Sequence, residues 1–77
     1  YMLYPNPATD LLFIQDAGQE IYAEDVHVFN MYGQEVFVNK FLIHNGVQID
    51  VSDLNPGTYS ILVDYGPNKL AKCFIKH

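Results

Sequence analysis

Short β-prone runs separated by turn signals every eight to twelve residues or so commit this chain to an all-strand fold. The runs are Leu11–Gln15, Asp25–Tyr32, Val36–Val38, Phe41–His44, Val47–Val51, Thr58–Tyr65 and Leu70–His77. In Thr58–Tyr65, the residues Tyr59, Ile61, Val63 and Tyr65 share one face, and Ser60, Leu62 and Asp64 share the other. Val26 and Val28 alternate with His27 and Phe29 in the same way. The turns are equally legible. Gly33 reads as a turn residue needing positive φ, so Asp25–Tyr32 and Val36–Val38 form a hairpin. Asn45-Gly46 is the strongest short hairpin dipeptide. Pro56 presets φ and Gly57 accepts positive φ, which predicts a type II turn after Leu54, a core plug. The pattern predicts a sandwich or barrel in a single domain, residues 1–77.

The tail admits two readings. Leu70, Cys73, Phe74 and His77 fit helical spacing. A strand is preferred, because Gly66-Pro67-Asn68 links it to a strong strand whose edge a hairpin return would protect. In that strand Cys73 alternates with Ala71 and Ile75 as a small core hydrophobe.

Composition narrows the function classes. The chain is 49% hydrophobic and 17% charged, which excludes disorder, and its net charge is −5 with no Arg. Phosphate backbones and anionic membranes demand a basic surface, so nucleic acid and direct membrane insertion are not expected. No apolar run approaches the ~20 residues needed to cross a bilayer. With only Cys73, no internal disulfide forms, which points to an intracellular protein or a bacterial extracytoplasmic domain. Residue 1 is Tyr, so a longer protein is expected, with any export signal upstream.

Four weak motifs stand in a set order. Tyr4-Pro5-Asn6-Pro7-Ala8 opens the chain, followed by Asp10, Leu12 and Ile14. Val26, Val28, Phe29, Asn30, Gly33, Gln34 and Val36 mark its middle. Asp53, Leu54, Gly57 and Tyr59 come next, and Lys72, Phe74, Ile75 and Lys76 end it. In this order the chain resembles the C-terminal sorting domain of the bacterial type IX secretion system, over Tyr4 to Lys76.

The resemblance implies a small immunoglobulin-like antiparallel β-sandwich of about seven strands at the end of a larger cargo protein. It implies export through the periplasm to the cell surface or medium, recognition by an outer-membrane translocon, and removal by a surface sortase. The domain would be the substrate of that chemistry, not its catalyst. Residue by residue, Tyr4, Pro5, Asn6 and Pro7 match the opening motif, with the cut expected near Tyr1 or upstream. Gly33 and Gly57 match the family's turn glycines, Tyr59 the aromatic after the second turn, and Lys72 and Lys76 the basic terminal strand. There are two departures. Leu11 and Phe13 occupy positions that are often polar, so a loop or a partner should cover them. Gln34 replaces a frequent Lys or Arg.

The residues themselves support several readings. Pro5 and Pro7 force an extended, polyproline-like segment, so residues 1–8 are expected as a hinge before a sandwich of 9–77. Lys72, Phe74 and Lys76 share a strand face and suit both edge protection and a charge-steered read-out by edge addition. His27, His44 and Cys73 match no compact zinc spacing, and Asp50 and Asp53 read as turn caps, so no metal or cofactor is expected. No nucleophile–base arrangement emerges, so an enzyme is the weakest class. A retained adhesion or carbohydrate-binding sandwich is the alternative to a sorting signal, with Tyr22, Tyr32 and Tyr65 near loops. Exposed edges also predict a strand-mediated homodimer in isolation.

Overall fold

The computed structural model describes residues 2–16, 18, 20–64 and 69–77. Its strands are β1 (Met2–Tyr4), β2 (Leu11–Gln15), β3 (Val26–Phe29), β4 (Glu35–Val36), β5 (Asn39–Ile43), β6 (Gly46–Asp50), β7 (Gly57–Asp64) and β8 (Lys69–Lys76). They form two antiparallel four-stranded sheets, ordered β1-β2-β6-β5 and β4-β3-β7-β8. A single turn of 3-10 helix at Ala23–Asp25 precedes β3. The all-β fold expected from the turn spacing is present, and it is the sandwich that the resemblance implied, with eight strands among the described residues. The expected turn Gly66-Pro67-Asn68 and Tyr65 lie outside the described residues.

The core follows from the period of two. Leu12 and Ile14, Val26 and Val28, Val47 and Ile49, and Tyr59, Ile61 and Val63 all face the other sheet and are buried. Ala8, Ile21, Val51 and Phe74 complete the cluster, and Leu54 packs against it as expected. Each buried aliphatic side chain stabilises the sandwich by roughly 1.5–3 kcal/mol, so a one-residue slip of any strand would forfeit several at once.

The tail is a strand, not a helix, paired with β7 from Gly57↔Lys76 to Asp64↔Lys69. Its phase corrects one expectation. Phe74 stacks on Tyr59 inside, with ring centroids 5.6 Å apart. Alternation then turns Ala71, Cys73 and Ile75 outward, and all three are exposed. The larger side chain determined the phase, so Cys73 is not a core residue.

Two turns differ in detail from their sequence signals. Ile43 pairs with Gly46, so the β5–β6 loop is His44-Asn45, one residue before the expected dipeptide, and Asn45 takes φ 60°. Gly46 serves a different purpose. A Cβ there would stand 2.0 Å from the Ile14 carbonyl oxygen and 2.9 Å from the Gln15 Cα, so only glycine lets β6 lie so close to β2. Gly57 takes φ 154°, more extended than the ~+80° of a type II turn, and already pairs with Lys76. The reversal occurs earlier, where the Leu54 N–H donates to the Val51 carbonyl at 3.1 Å. Gly33 takes φ 78° as expected. Around it, the Asn30 carboxamide oxygen accepts the Tyr32 and Gln34 N–H groups at 2.9 and 3.0 Å.

Gly46→Ala should therefore lower stability by about 3 kcal/mol through overpacking. Gly33→Ala, which meets open space, should lose only about 1 kcal/mol from its positive φ. Thermal melts of the two variants check the difference; equal losses would mean β2 and β6 are farther apart than described.

Candidate functional site

Three of the four sequence motifs meet at one end of β8. The register brings Gly57 opposite Lys76 and Tyr59 opposite Phe74. On the other side of β8 lies the opening motif. The Ala8 N–H donates to the Ile75 carbonyl at 2.7 Å, and the His77 N–H donates to the Ala8 carbonyl at 2.9 Å. The Ile75 N–H donates to the Asn6 Oδ1 at 2.9 Å. Gly33 is not part of this group. It turns the β3–β4 hairpin at the opposite edge of the same sheet.

Residues 2–8 thus divide between the two sheets. Met2–Tyr4 pairs with β2 as an edge strand, whereas Ala8 bridges in parallel to Lys76 in the other sheet. The chain bends between them at Asn6 and Pro7, and the Tyr4–Pro5 and Asn6–Pro7 peptide bonds are cis. Tyr4 stacks on Phe13 at 5.4 Å and its hydroxyl donates to Gln15 Oε1. The second apolar face of β2, unexplained by the sequence, is therefore covered in part by β1. Ala8 is fully buried. Segment Asn6–Ala8 acts as a strap that closes the sandwich along the last residues of β8.

The strap leaves part of that edge open. The N–H and C=O of Ile75 both point away from β7. Along an antiparallel strand the same holds for every second residue, so Lys69, Ala71 and Cys73 present their N–H and C=O groups to the same side. Among the described residues no strand pairs there. The open edge runs from Lys69 to Cys73 and ends where Asn6 takes Ile75.

The terminal lysines have different environments. Lys76 is 7% exposed, and its ammonium donates to the His77 carbonyl at 2.8 Å. Lys72 and Lys69 are exposed, with Lys69 opposite Asp64 in the register. Lys76 therefore belongs to the packing of the strap end, and the solvent-exposed lysines of β8 are Lys69 and Lys72.

Tyr59 is held from two directions. Besides its stack on Phe74, its hydroxyl donates to the Asn55 carbonyl at 2.7 Å, four residues upstream. This is the tyrosine-corner arrangement of immunoglobulin-like sandwiches. It anchors the Asn55-Pro56-Gly57 approach to β7, which explains an aromatic two residues after Gly57 better than exposure to a partner would. The preceding turn is capped by Asp50. Its Oδ1 accepts from the Ser52 hydroxyl at 2.6 Å and the Ser52 N–H at 3.0 Å. These bonds favour the ionised form and hold the Asp50 carboxyl below the ordinary aspartate range. Among the described residues no three His, Cys, Asp or Glu side chains converge as metal ligands. No helix there is long and apolar enough to cross a membrane.

Sequence reasoning missed Ala8 as a core residue and Asn6 as an edge cap. Neither residue type signals such a role; both depend on a partner about seventy residues away. It also missed Lys40, whose ammonium reaches across the sandwich to the Val26 carbonyl at 2.5 Å.

Among known proteins, the family described as "Secretion system C-terminal sorting domain" matches residues 2–77. No curated protein and no solved structure gives a significant match.

Tyr59→Phe should cost about 1 kcal/mol by orphaning the Asn55 carbonyl, read as a lowered denaturation midpoint with unchanged slope. A neutral result would mean the corner bond is not formed. The Asp50 cap carries a pH prediction. A carboxyl depressed in the native state stabilises the turn above its unfolded value and loses that contribution as pH falls through the native one. Titration by NMR should give Asp50 a midpoint below the ordinary aspartate value, and Ser52→Ala should raise it back.

Proposed function

Because the chain belongs to the secretion-system C-terminal sorting domain family, we propose that the open edge of β8 is the part the secretion machinery reads. As a type IX sorting signal, the domain directs the protein that carries it to the cell surface or the extracellular space, and interacts with the machinery that does so. Sorting signals of this family are not catalysts.

The observation that carries the proposal is the interrupted edge. β8 is the outermost strand of its sheet, is open from Lys69 to Cys73, and is closed at Ile75 by the strap. An open edge accepts an added strand through main-chain bonds, while flanking side chains select the partner. Three of the chain's four lysines lie on β8, and Lys69 and Lys72 are exposed there in an otherwise acidic domain. We assign the outer-membrane translocon, reached from the periplasm, to this edge, with the two lysines steering the encounter. Phe74, Lys76, Gly57 and Tyr59 hold the edge in place from behind. Tyr4, Pro5, Asn6 and Pro7 define where it stops.

The strap also constrains the sortase. Tyr4 to Ala8 is engaged in both sheets, so cleavage upstream of β1 leaves the sandwich intact, whereas cleavage inside the strap would open it. We place the cut upstream of Met2. In isolation, without the machinery, the same β8 edge offers itself to a second copy, so strand-mediated pairing of two domains is expected there.

The test uses a reporter with an export signal at its start and this chain at its end, expressed in a bacterium with type IX secretion. Ala71→Pro removes an outward N–H and no β7 bond, which an edge strand tolerates. Lys69→Glu with Lys72→Glu reverses the steering charge. Both variants should keep the circular dichroism of the parent and leave the reporter in the periplasm. Normal surface delivery of either folded variant would show that β8 is not what is read.

A further inference from the structure

We infer that the outer edge of β5 is a second docking edge, fitted to an extended segment of a partner protein with an apolar centre and a basic residue towards each end. β5 terminates the other sheet. The Val51 N–H donates to the Asp10 carbonyl and the Asp16 N–H donates to the Asn45 carbonyl, both at 2.9 Å. Odd-numbered main-chain groups along β6 therefore face β2, and the even-numbered ones face β5. Their partners in the register are Asn39, Phe41 and Ile43. The N–H and C=O groups of Lys40 and Leu42 are left pointing outward. No described segment pairs with them.

Packing around β5 is incomplete on both faces. Leu42 lies opposite Val47, which is fully buried, and so belongs to the core side; it is nevertheless 62% exposed. The facing sheet does not extend over it. On the outer face Phe41 is 53% exposed, and Phe37, just before the strand, is 97% exposed. An open, apolar edge of this kind is normally guarded by charge. The one charged residue of β5, Lys40, is turned inward onto the Val26 carbonyl and guards nothing.

A cleft opens at each end of the strand. Phe37, Asn39, Asp50 and Asp53 line the first; Glu20, Ile21, Leu42 and His44 line the second. Carboxylates thus stand at both ends of a strand about 14 Å long, in a chain of net charge −5. The complement is a segment with lysine or arginine at its two ends and aliphatic residues between, the latter covering Leu42 and Phe41. A second copy paired symmetrically through β5 does not fit. Antiparallel pairing would bring Asp50 and Asp53 of one chain to Glu20 of the other, so like charges would meet at both ends.

Short synthetic peptides with alternating Val and Thr at the centre, ended by lysines or by glutamates, provide the probe. The lysine-ended peptide should bind the whole chain and slow amide exchange at Lys40 and Leu42 by about tenfold. Asp53→Asn, an exposed change, should weaken that binding by about threefold, and added salt should weaken it further. Three results would overturn the inference: equal binding of the glutamate-ended peptide, protection at Ala71 and Cys73 instead, or protection of Lys40 and Leu42 by concentrated chain alone.

Discussion

The features at the C-terminal end of this sandwich depend on the register in which β7 meets β8. Tyr59 opposite Phe74 gives the sheet an aromatic pair facing the core. Once Phe74 is inside, alternation leaves no freedom. Lys76 must turn in as well and finds the His77 carbonyl; Cys73 and Ile75 must turn out. The main-chain groups of Ile75 then point away from β7, where Asn6 and Ala8 meet them. A register shifted by one residue would turn Phe74 out of the core and remove the strap's partners together. The Tyr59–Asn55 bond secures this register from its near end, by holding the chain as it enters β7.

A sandwich of two open sheets has four edges, and a chain of 77 residues has little spare length to cover them. β4 is two residues long and β1 three, so they offer few unpaired groups. β8 is closed at one end by the strap and open at the other. β5 is open along its length. Among the described residues, the longer edges left exposed are thus those of β8 and β5, and they differ in chemistry. The β8 edge carries Lys69 and Lys72; the β5 edge carries apolar side chains between carboxylates. For a domain whose task is to be recognised by other proteins, unpaired edges with distinct charge provide selectivity without an enclosed pocket.

The strap couples the two ends of the chain. Asn6 and Ala8 hold Ile75 and His77, so whatever pulls on the N-terminal segment acts on the last strand. A carried protein joined at the N-terminal side is therefore mechanically linked to the strand proposed to be read. The strap works through main-chain groups and one carboxamide, and Ala8 within it is fully buried.

Much of this was legible in the residues. The period of two in Tyr59–Val63 and Val26–Val28 determined which side chains are buried, because a strand alternates faces whatever surrounds it. Gly33 announced its positive φ, and the ordered motifs identified the family. Local chemistry sufficed for these. Only the tertiary structure decided the phase of β8, since Phe74 and Cys73 are both apolar and the choice depended on which one Tyr59 could stack upon. It also decided that Gly46 is needed for the approach of β2 rather than for the turn, and that Ala8 closes an edge formed by residues at the far end of the chain. Such contacts join segments distant in sequence, and nothing in either segment alone specifies the distance at which the two will pass.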